Sequence, residues 1–350
     1  MRVLLISQYY APEPALRPCE LGASLAARGH HVVAVTGSPC YPYGSIYKGY
    51  RAIDVRWDDV DGVRVLRLPV FPDRSRSAIR RAAYYGTLAI SASVAAPLLP
   101  YRFDVAYVFG SPPTMGLPAV LTKWLRGVPF VLDVQDIWPE TLTAAGVALR
   151  PSLMRLMDRA LCCLYRQASA ITVISPGFER YLIGKGVPAD KIHMIPNWAN
   201  AEVYKPARRS RELARKLGMD GRFNIVFAGT MGLAQSLSSI LQAARLLADM
   251  PDVQLVLIGE GVERAALEAM ASEERLNNVR FLERRPASDM SRIFALADAL
   301  LIHLKRDPLF AITIPSKTIA YLAAGRPIVA AVDGDAAEVV LRAGAGLACR

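Results

Sequence analysis

Short, nearly unbroken apolar runs recur along this chain, each followed by an amphipathic helical pattern, and the recurrence starts over once. "RVLLIS" leads into "CELGASLAARG" and then "HVVAVTG"; after these come "VAYVFG", "LPAVLTKWLRG", "PFVLDVQD", a helix from Pro151 to Ala168, and "AITVIS". Strands apolar at almost every position must be covered on both faces, and β-then-α order achieves that with parallel strands. The charged stretch "KPARRSRELARKLGMDGR" reads as a crossover between domains. From Phe223 the order repeats through "FNIVFAG", a helix over 237–249, "VQLVLIGEG", a helix over 263–271, "VRFLE", a helix over 286–297, "ALLIHL", "TIPSKTIAYLAAG" and "PIVAAV". The length of 350 residues suits two domains. The pattern therefore predicts an α/β protein of two facing, doubly wound domains with parallel sheets, residues 1–200 and 201–350. Ligands belong in the cleft between them, at the C-terminal strand ends. The last residues, "AGAGLACR", bring no closing helix.

Charge narrows the partners. The net charge is +11, with 22 Lys/Arg against 14 Asp/Glu in residues 1–200 and 20 against 17 in the rest. An anionic partner follows: a phosphorylated substrate, an acidic lipid or a nucleic acid. No basic recognition helix or aromatic–basic alternation is present, which disfavours nucleic acid. The excess concentrates at Arg74, Arg76, Arg80 and Arg81, ahead of nineteen uncharged residues, 82–100. That segment is read three ways: a helix lying on a bilayer with arginines on the head groups, a buried helix, or a true span. Five cysteines without metal spacing point to buried thiols in a reducing cytosol, and "MRVLLISQYYAPEP" reads as a first strand rather than a leader.

"TIPSKTIAYLAAGRP" carries helix punctuation with one oddity. Pro315 suits the first helical position and Gly325 the left-handed residue after the last turn. Lys317 then lies among unpaired backbone N–H groups, where a cation costs about 0.3–1 kcal/mol unless an anion joins it. Two further loops approach a ligand closely: "AGTMGLAQS", with Gly229 and Gly232, and "IGEGVER", with Glu260 between glycines. Three helix starts in one crevice make a site for a phosphate or diphosphate. The plain alternative leaves Lys317 solvated past its helix end.

The first strand–helix turn, "SQYYAPEPALRP", has no glycine, so a nicotinamide dinucleotide site is disfavoured. Its one cation, Arg17, either reaches an anion or is an ordinary surface arginine. "DVQDIWPET" places Asp133, Gln135, Asp136 and Glu140 around Trp138 at a strand end, which suits sugar recognition and acid–base work. The structural alternative makes Asp136 a helix cap and Trp138 a packing wedge.

Taken together, "PEPALRPCELGASLAARGHHVVAVTGSPCYPYGSIYKGY", "DVQDIWPET", "VISPGFERYLIGKGVPADKIHMIPNWAN", "FAGTMGLAQSL", "IGEGVER" and "DPLFAITIPSKTIAYLAAGRPIVA" resemble the retaining family 4 glycosyltransferases of the GT-B fold. The resemblance spans essentially the whole chain and is nearest to the WbuB-like enzymes of bacterial O-antigen and capsule synthesis. It implies retaining transfer from a nucleotide diphosphate sugar, without metal or other cofactor, with the donor on the C-terminal domain and a lipid-linked saccharide acceptor on the N-terminal one. Carried over residue by residue, Gly229, Thr230, Gly232, Ser316 and Lys317 line the diphosphate, with Arg17 as a further cation. Glu260, Gly261, Arg284 and Arg285 frame base and ribose, and Phe310 and Thr313 the donor sugar. Asp136, Gln135 and Glu140 are the catalytic candidates, Gln135 standing where many members carry histidine. The resemblance also implies a cytoplasmic protein at the inner face of the plasma membrane.

Two departures stand out. The family's paired glutamates fall on Ile312 and Ala320, and its loop arginine and lysine on Thr230 and Gln235. A less polar deoxysugar donor accommodates the first. Other classes remain: a nucleotide-sugar epimerase of similar fold, disfavoured because His30, His31, His193 and His303 sit at strand starts or inside strands, or a non-catalytic binding partner, favoured by the missing acids.

Overall fold

A computed structural model describes residues 1–14, 16–73, 77–144, 146–147 and 149–349. Contacts divide the chain into two compact units. The first comprises Met1–Thr141, Ala148–Val173 and Glu179–Ile195; the second takes Pro196–Arg350 together with Leu142–Val147 and Ile174–Phe178.

Elements of the N-terminal half run β1 (Arg2–Ile6), α1 (Leu16–Ala27), β2 (His31–Gly37), β3 (Arg56–Val60), β4 (Val63–Leu68), α2 (Ala78–Leu98), β5 (Val105–Phe109), α3 (Gly116–Arg126), β6 (Phe130–Val134), α4 (Glu140–Ala144), α5 (Pro151–Gln167), β7 (Ala170–Val173), α6 (Pro176–Gly184) and β8 (Ile192–Met194). The eight strands form one sheet in the order β3-β4-β2-β1-β5-β6-β7-β8. The centre is parallel, with Leu4 paired to Val33 on one side and Ala106 on the other. Leu4, Leu5, Ile6, Val108 and Leu132 are at most 1% exposed, as continuous apolar strands require.

One edge of this otherwise parallel sheet is antiparallel. β3 runs antiparallel to β4 through Asp61-Gly62, both at positive φ (49° and 79°), the backbone that a two-residue hairpin demands. β3 carries Arg56, Asp58 and Asp59, so apolar content alone does not reveal it, and the same charges protect an open edge.

α2 fits one of the three readings of its segment. Tyr84, Leu88, Ala89, Ala92 and Ala96 are buried in the first unit, so the segment is largely a packing helix. Its outward row retains Ile90, Val94 and Leu98, spaced four apart. No described helix is long and apolar enough to cross a membrane. Nor are the cysteines uniformly buried: Cys40 is, whereas Cys163 and Cys349 are exposed.

The C-terminal half runs α7 (Arg211–Leu217), β9 (Phe223–Ala228), α8 (Leu237–Leu246), β10 (Val253–Ile258), α9 (Arg264–Glu273), β11 (Val279–Leu282), α10 (Ala287–Phe294), β12 (Ala299–His303), α11 (Pro308–Ala311), α12 (Ser316–Ala324), β13 (Ile328–Ala331), α13 (Asp335–Arg342) and β14 (Gly346–Ala348). Its all-parallel sheet has the order β11-β10-β9-β12-β13-β14. Neighbouring residues face opposite layers: Phe227 packs with Leu237, Leu241 and Leu267, Val226 with Ile302, Tyr321 and Val340. Each such buried side chain contributes about 1.5–3 kcal/mol.

The charged stretch read as a crossover instead contains α7. Ser210 Oγ accepts from Leu213 N (3.2 Å), Gly218 ends the helix at φ 65°, and Ala214 and Leu217 enter the second unit's core. Its charges lie on the outer side of an amphipathic helix.

Candidate active site

In the second unit, the turns after β9 and β10 lie against each other. Gly229 N donates to Ile258 O (2.9 Å) and Met231 N to Glu260 O (2.9 Å). A Cβ on Gly259, whose φ is +146°, would stand 1.9 Å from Gly229 O, and one on Gly261 would stand 2.1 Å from Met231 O. Glycine is needed here for close backbone approach. Thr230 is exposed, while the Gly232 N–H is taken by Gln235 Oε1 (3.2 Å). Arg264, which the loop reading missed, locks the assembly: its Nη1 donates to Gly259 O and Glu260 Oε1, both at 2.7 Å, and its Nε to Glu268 (2.9 Å). The Glu260–Arg264–Glu268 spacing of four was the available signal. Glu260 is therefore ion-paired, while Arg284 and Arg285 stand exposed in the turn after β11.

α12 brings Lys317 to these turns. Pro315 is the residue before the helix, in extended conformation (ψ 144°), rather than the first helical one; Gly325 ends the helix at φ 64°. Tyr321, one turn on, is fully buried, and its hydroxyl accepts from Ala228 N (2.8 Å), fastening α12 to the end of β9. Lys317 is half-buried as a residue, and its Nζ is sealed from solvent and has no hydrogen-bond partner. It stands 3.6 Å over the Phe227 ring centroid, and 3.2 Å from where a Gly229 Cβ would be. Burial lowers its pKa to about 7. The solvated alternative is thereby overturned: the amine points into the protein beside the Gly229 turn. Ser316 is exposed at the same helix start.

Phe310 packs on the core under α12 and, with His303, Lys305, Asp307 and Asp333, lines a concavity of ≈ 300 Å³. His303 ends β12 and its Nδ1 meets Gln235 O at 2.7 Å. Thr313 Oγ1 is turned back to Leu309 O (2.8 Å). The two positions lacking acids have packing roles. Ala320 is 9% exposed on the buried side of α12. Ile312 lies against Gly177, where an added Cβ would come within 2.4 Å of its own, and its carbonyl accepts from Ser175 Oγ (2.6 Å).

In the first unit, Asp133 is the last residue but one of β6, paired with Thr172 of β7, and is 4% exposed. Its carboxylate accepts from Thr172 Oγ1 (2.9 Å) and Gln135 Nε2 (2.8 Å). Arg17 Nη1 donates to Gln135 Oε1 (2.9 Å). Burial raises the Asp133 pKa to about 6, opposed by these bonds and by Arg17; burial lowers that of Arg17, opposed by Asp133 and Asp136. Arg17 is therefore no loose surface cation but part of the Gln135 assembly. Asp136 accepts a short hydrogen bond from Ser111 Oγ, so a role as helix cap is not what occupies that oxygen. Glu140 begins α4, accepts from the Tyr181 hydroxyl and lies 3.8 Å from Lys185 Nζ.

Of the four arginines ahead of α2, Arg74 and Arg76 lie outside the described residues. Arg80 pairs with the buried Asp73 (3.0 Å) and sits over Phe71; Arg81 is partly exposed.

Two family models cover most of the chain. The glycosyl transferase 4-like domain matches residues 14–198, and the glycosyl transferases group 1 model residues 222–350. The chain belongs to the glycosyltransferases, and is an enzyme of that class. Among relatives of this glycosyltransferase, WcaI of Escherichia coli K12, named as a colanic acid biosynthesis glycosyl transferase, is 26% identical, over 93% of this chain and 82% of its own length. WbjE of Pseudomonas aeruginosa, named as a glycosyltransferase, is 27% identical over 71% and 62%. Among solved structures, Anabaena HepE in complex with UDP superposes with a TM-score of 0.69 at 18% identity, covering 100% of this chain and 85% of that one. Sucrose-phosphate synthase from Thermosynechococcus elongatus gives 0.74 at 18% identity, covering 99% and 85%. These structural likenesses establish the GT-B fold.

Proposed function

We propose that this glycosyltransferase moves a sugar, with retention, from a nucleoside diphosphate donor held by its C-terminal domain to a polyprenyl-diphosphate-linked saccharide held by its N-terminal domain, in cell-surface polysaccharide synthesis. The observation that carries the donor assignment is the orphaned Lys317 amine at the start of α12. A buried amine without a partner is costly; a diphosphate at the Gly229 turn would supply the partner and align with the helix dipole. Gly229, Thr230, Gly232, Ser316 and Lys317 then cradle the diphosphate, and the leaving charge needs no metal. Glu260, Gly261, Arg284 and Arg285 flank base and ribose. Thr313 and Phe310 meet the sugar; apolar Ile312 and Ala320 nearby favour a deoxy or N-acetylated aminodeoxy hexose. Asp136, Gln135 and Glu140 serve the reacting sugar, with Arg17 supplying positive charge.

The names of WcaI and WbjE, and the UDP bound by HepE, support the same class of donor and product. The outward Ile90–Val94–Leu98 row, with Arg80 and Arg81 at the helix start, supports docking at the inner face of the plasma membrane. Incubation with labelled UDP- and GDP-sugars and a bacterial lipid extract, with and without EDTA, tests this reading. Label passing to the lipid phase, unaffected by EDTA, is expected. An altered free nucleotide sugar would instead indicate epimerisation, and binding without turnover a scaffold.

A further inference from the structure

Asp133 is a buried carboxylate that the proposed chemistry leaves unused, yet its hydrogen bonds have a fixed direction. As a carboxylate it only accepts. Thr172 spends its single hydroxyl proton on Asp133 Oδ1, so the Tyr107 hydroxyl, 3.4 Å away, is the donor to Thr172. On the other oxygen, Asp133 requires a donor from Gln135, which turns Nε2 inward and leaves Oε1 toward Arg17. Arg17 can only donate, so the amide has one orientation that satisfies both neighbours. Reversing it sets a carbonyl against a carboxylate and an N–H against a guanidinium.

We propose that Asp133 is a positioning residue for the transfer reaction: by choosing the amide orientation of Gln135, it holds the Arg17 guanidinium in place at the C-terminal strand ends of the first unit. The role rests on the glycosyltransfer reading above for its kinetic consequence, but the orientation itself does not. Gly110 shows how tightly the strand end is set, since a Cβ there would stand 2.7 Å from Asp133 O. Sequence shows only one acid in an otherwise apolar strand; the pairing of β6 with β7 brings Thr172 beside it.

The test is a polarity exchange. With Thr172 still donating to Oδ1, Asp133→Asn presents Nδ2 to Gln135 and is satisfied there by the Gln135 carbonyl, which turns the Gln135 N–H groups toward Arg17. Adding Gln135→Glu restores the pattern, because the introduced carboxylate accepts from both the new asparagine amide and Arg17. The chain has six glutamines, so selective side-chain ¹⁵N labelling resolves the Gln135 amide, assigned by its loss in Gln135→Glu. Wild type should show a Gln135 N–H shifted downfield by a carboxylate, and Asp133→Asn should lose that shift while remaining folded. In the donor assay, Asp133→Asn should lower kcat about 100-fold with KM for the nucleotide sugar within about threefold, the scale of a misplaced group. In the double variant the Arg17 guanidinium signals should move back toward their wild-type shifts, a readout independent of the part Gln135 plays in turnover. An unchanged amide shift in Asp133→Asn would overturn the orientation claim even if no donor turns over. A normal kcat in Asp133→Asn, or a folded double variant whose Arg17 signals stay displaced, would overturn the positioning role while leaving the glycosyltransfer reading intact.

Discussion

Two buried charges, one in each unit, are handled in opposite ways. Asp133 is met by Thr172 and Gln135, with Arg17 beyond, and its network closes on protein groups. Lys317 is sealed against Phe227 with nothing to donate to. A closed network is pre-organised without ligand, whereas an orphaned amine is relieved only when something arrives. Their pH signatures are opposed as well. The Asp133 pKa is raised to about 6, so the folded state holds the extra proton and this group's contribution to stability falls as pH rises from about 4 to 6. The Lys317 pKa is lowered to about 7, so the unfolded state holds the extra proton and stability rises from about pH 7 toward 10.5.

The comparison can be broken at several points. The largest effect should come from the cradle beside Lys317. Gly259→Val places a side chain on Gly229 O at a positive φ, and should cost about 3 kcal/mol or more of stability, read as a fall in denaturation midpoint and lost nucleoside diphosphate binding. A stable variant that still binds the nucleoside diphosphate would show that the two turns are not tightly apposed. Next, Lys317→Ala should weaken nucleoside diphosphate binding by about 1.5–3 kcal/mol by calorimetry; an unchanged affinity removes Lys317 from the diphosphate site. The same titration, repeated across pH, should show affinity falling by up to about tenfold per unit above pH 7, because the ligand must bring the proton with it. Lys317→Met should flatten that slope and raise the stability of the free protein at neutral pH, where an intact slope would place the titrating group elsewhere. On the closed side, Thr172→Val removes one of two bonds to Asp133 without reversing Gln135. It should cost about 1–3 kcal/mol of stability, with kcat within about threefold. The smallest effect concerns the membrane: Arg81→Ser should weaken binding to phosphatidylserine-containing vesicles by about 1 kcal/mol, and co-sedimentation that ignores it would remove Arg81 from docking.

Much of the scaffold could be read directly. The strands from β1 to β13 that are apolar throughout, and the end of α12 at Gly325, follow from local chemistry. β3 escaped because an edge strand is charged, and α7 because seven residues dense in Arg and Lys resemble a linker until Ala214 and Leu217 find a core. α2 was ambiguous for a plain reason: nineteen uncharged residues satisfy a protein interior and a bilayer surface alike. Of the candidate site residues, Lys317 and the glycine turns announced themselves by misplaced charge and missing side chains. Arg264, Tyr321 and Thr172 did not, since each acts by meeting a group that another element brings to it.

The sequence by itself therefore determined the two-fold alternation of strand and helix, the positions of the glycine turns and the presence of a cation at a helix start. These are properties of neighbouring residues, written in periodicity and backbone permission. Only the tertiary structure decided that the Lys317 amine points inward without a partner, that Glu260 is held by Arg264, and that Arg17 belongs with Gln135 and Asp133. Hydrogen-bond direction and burial depend on what packing brings within about 3 Å, and no local pattern carries that information.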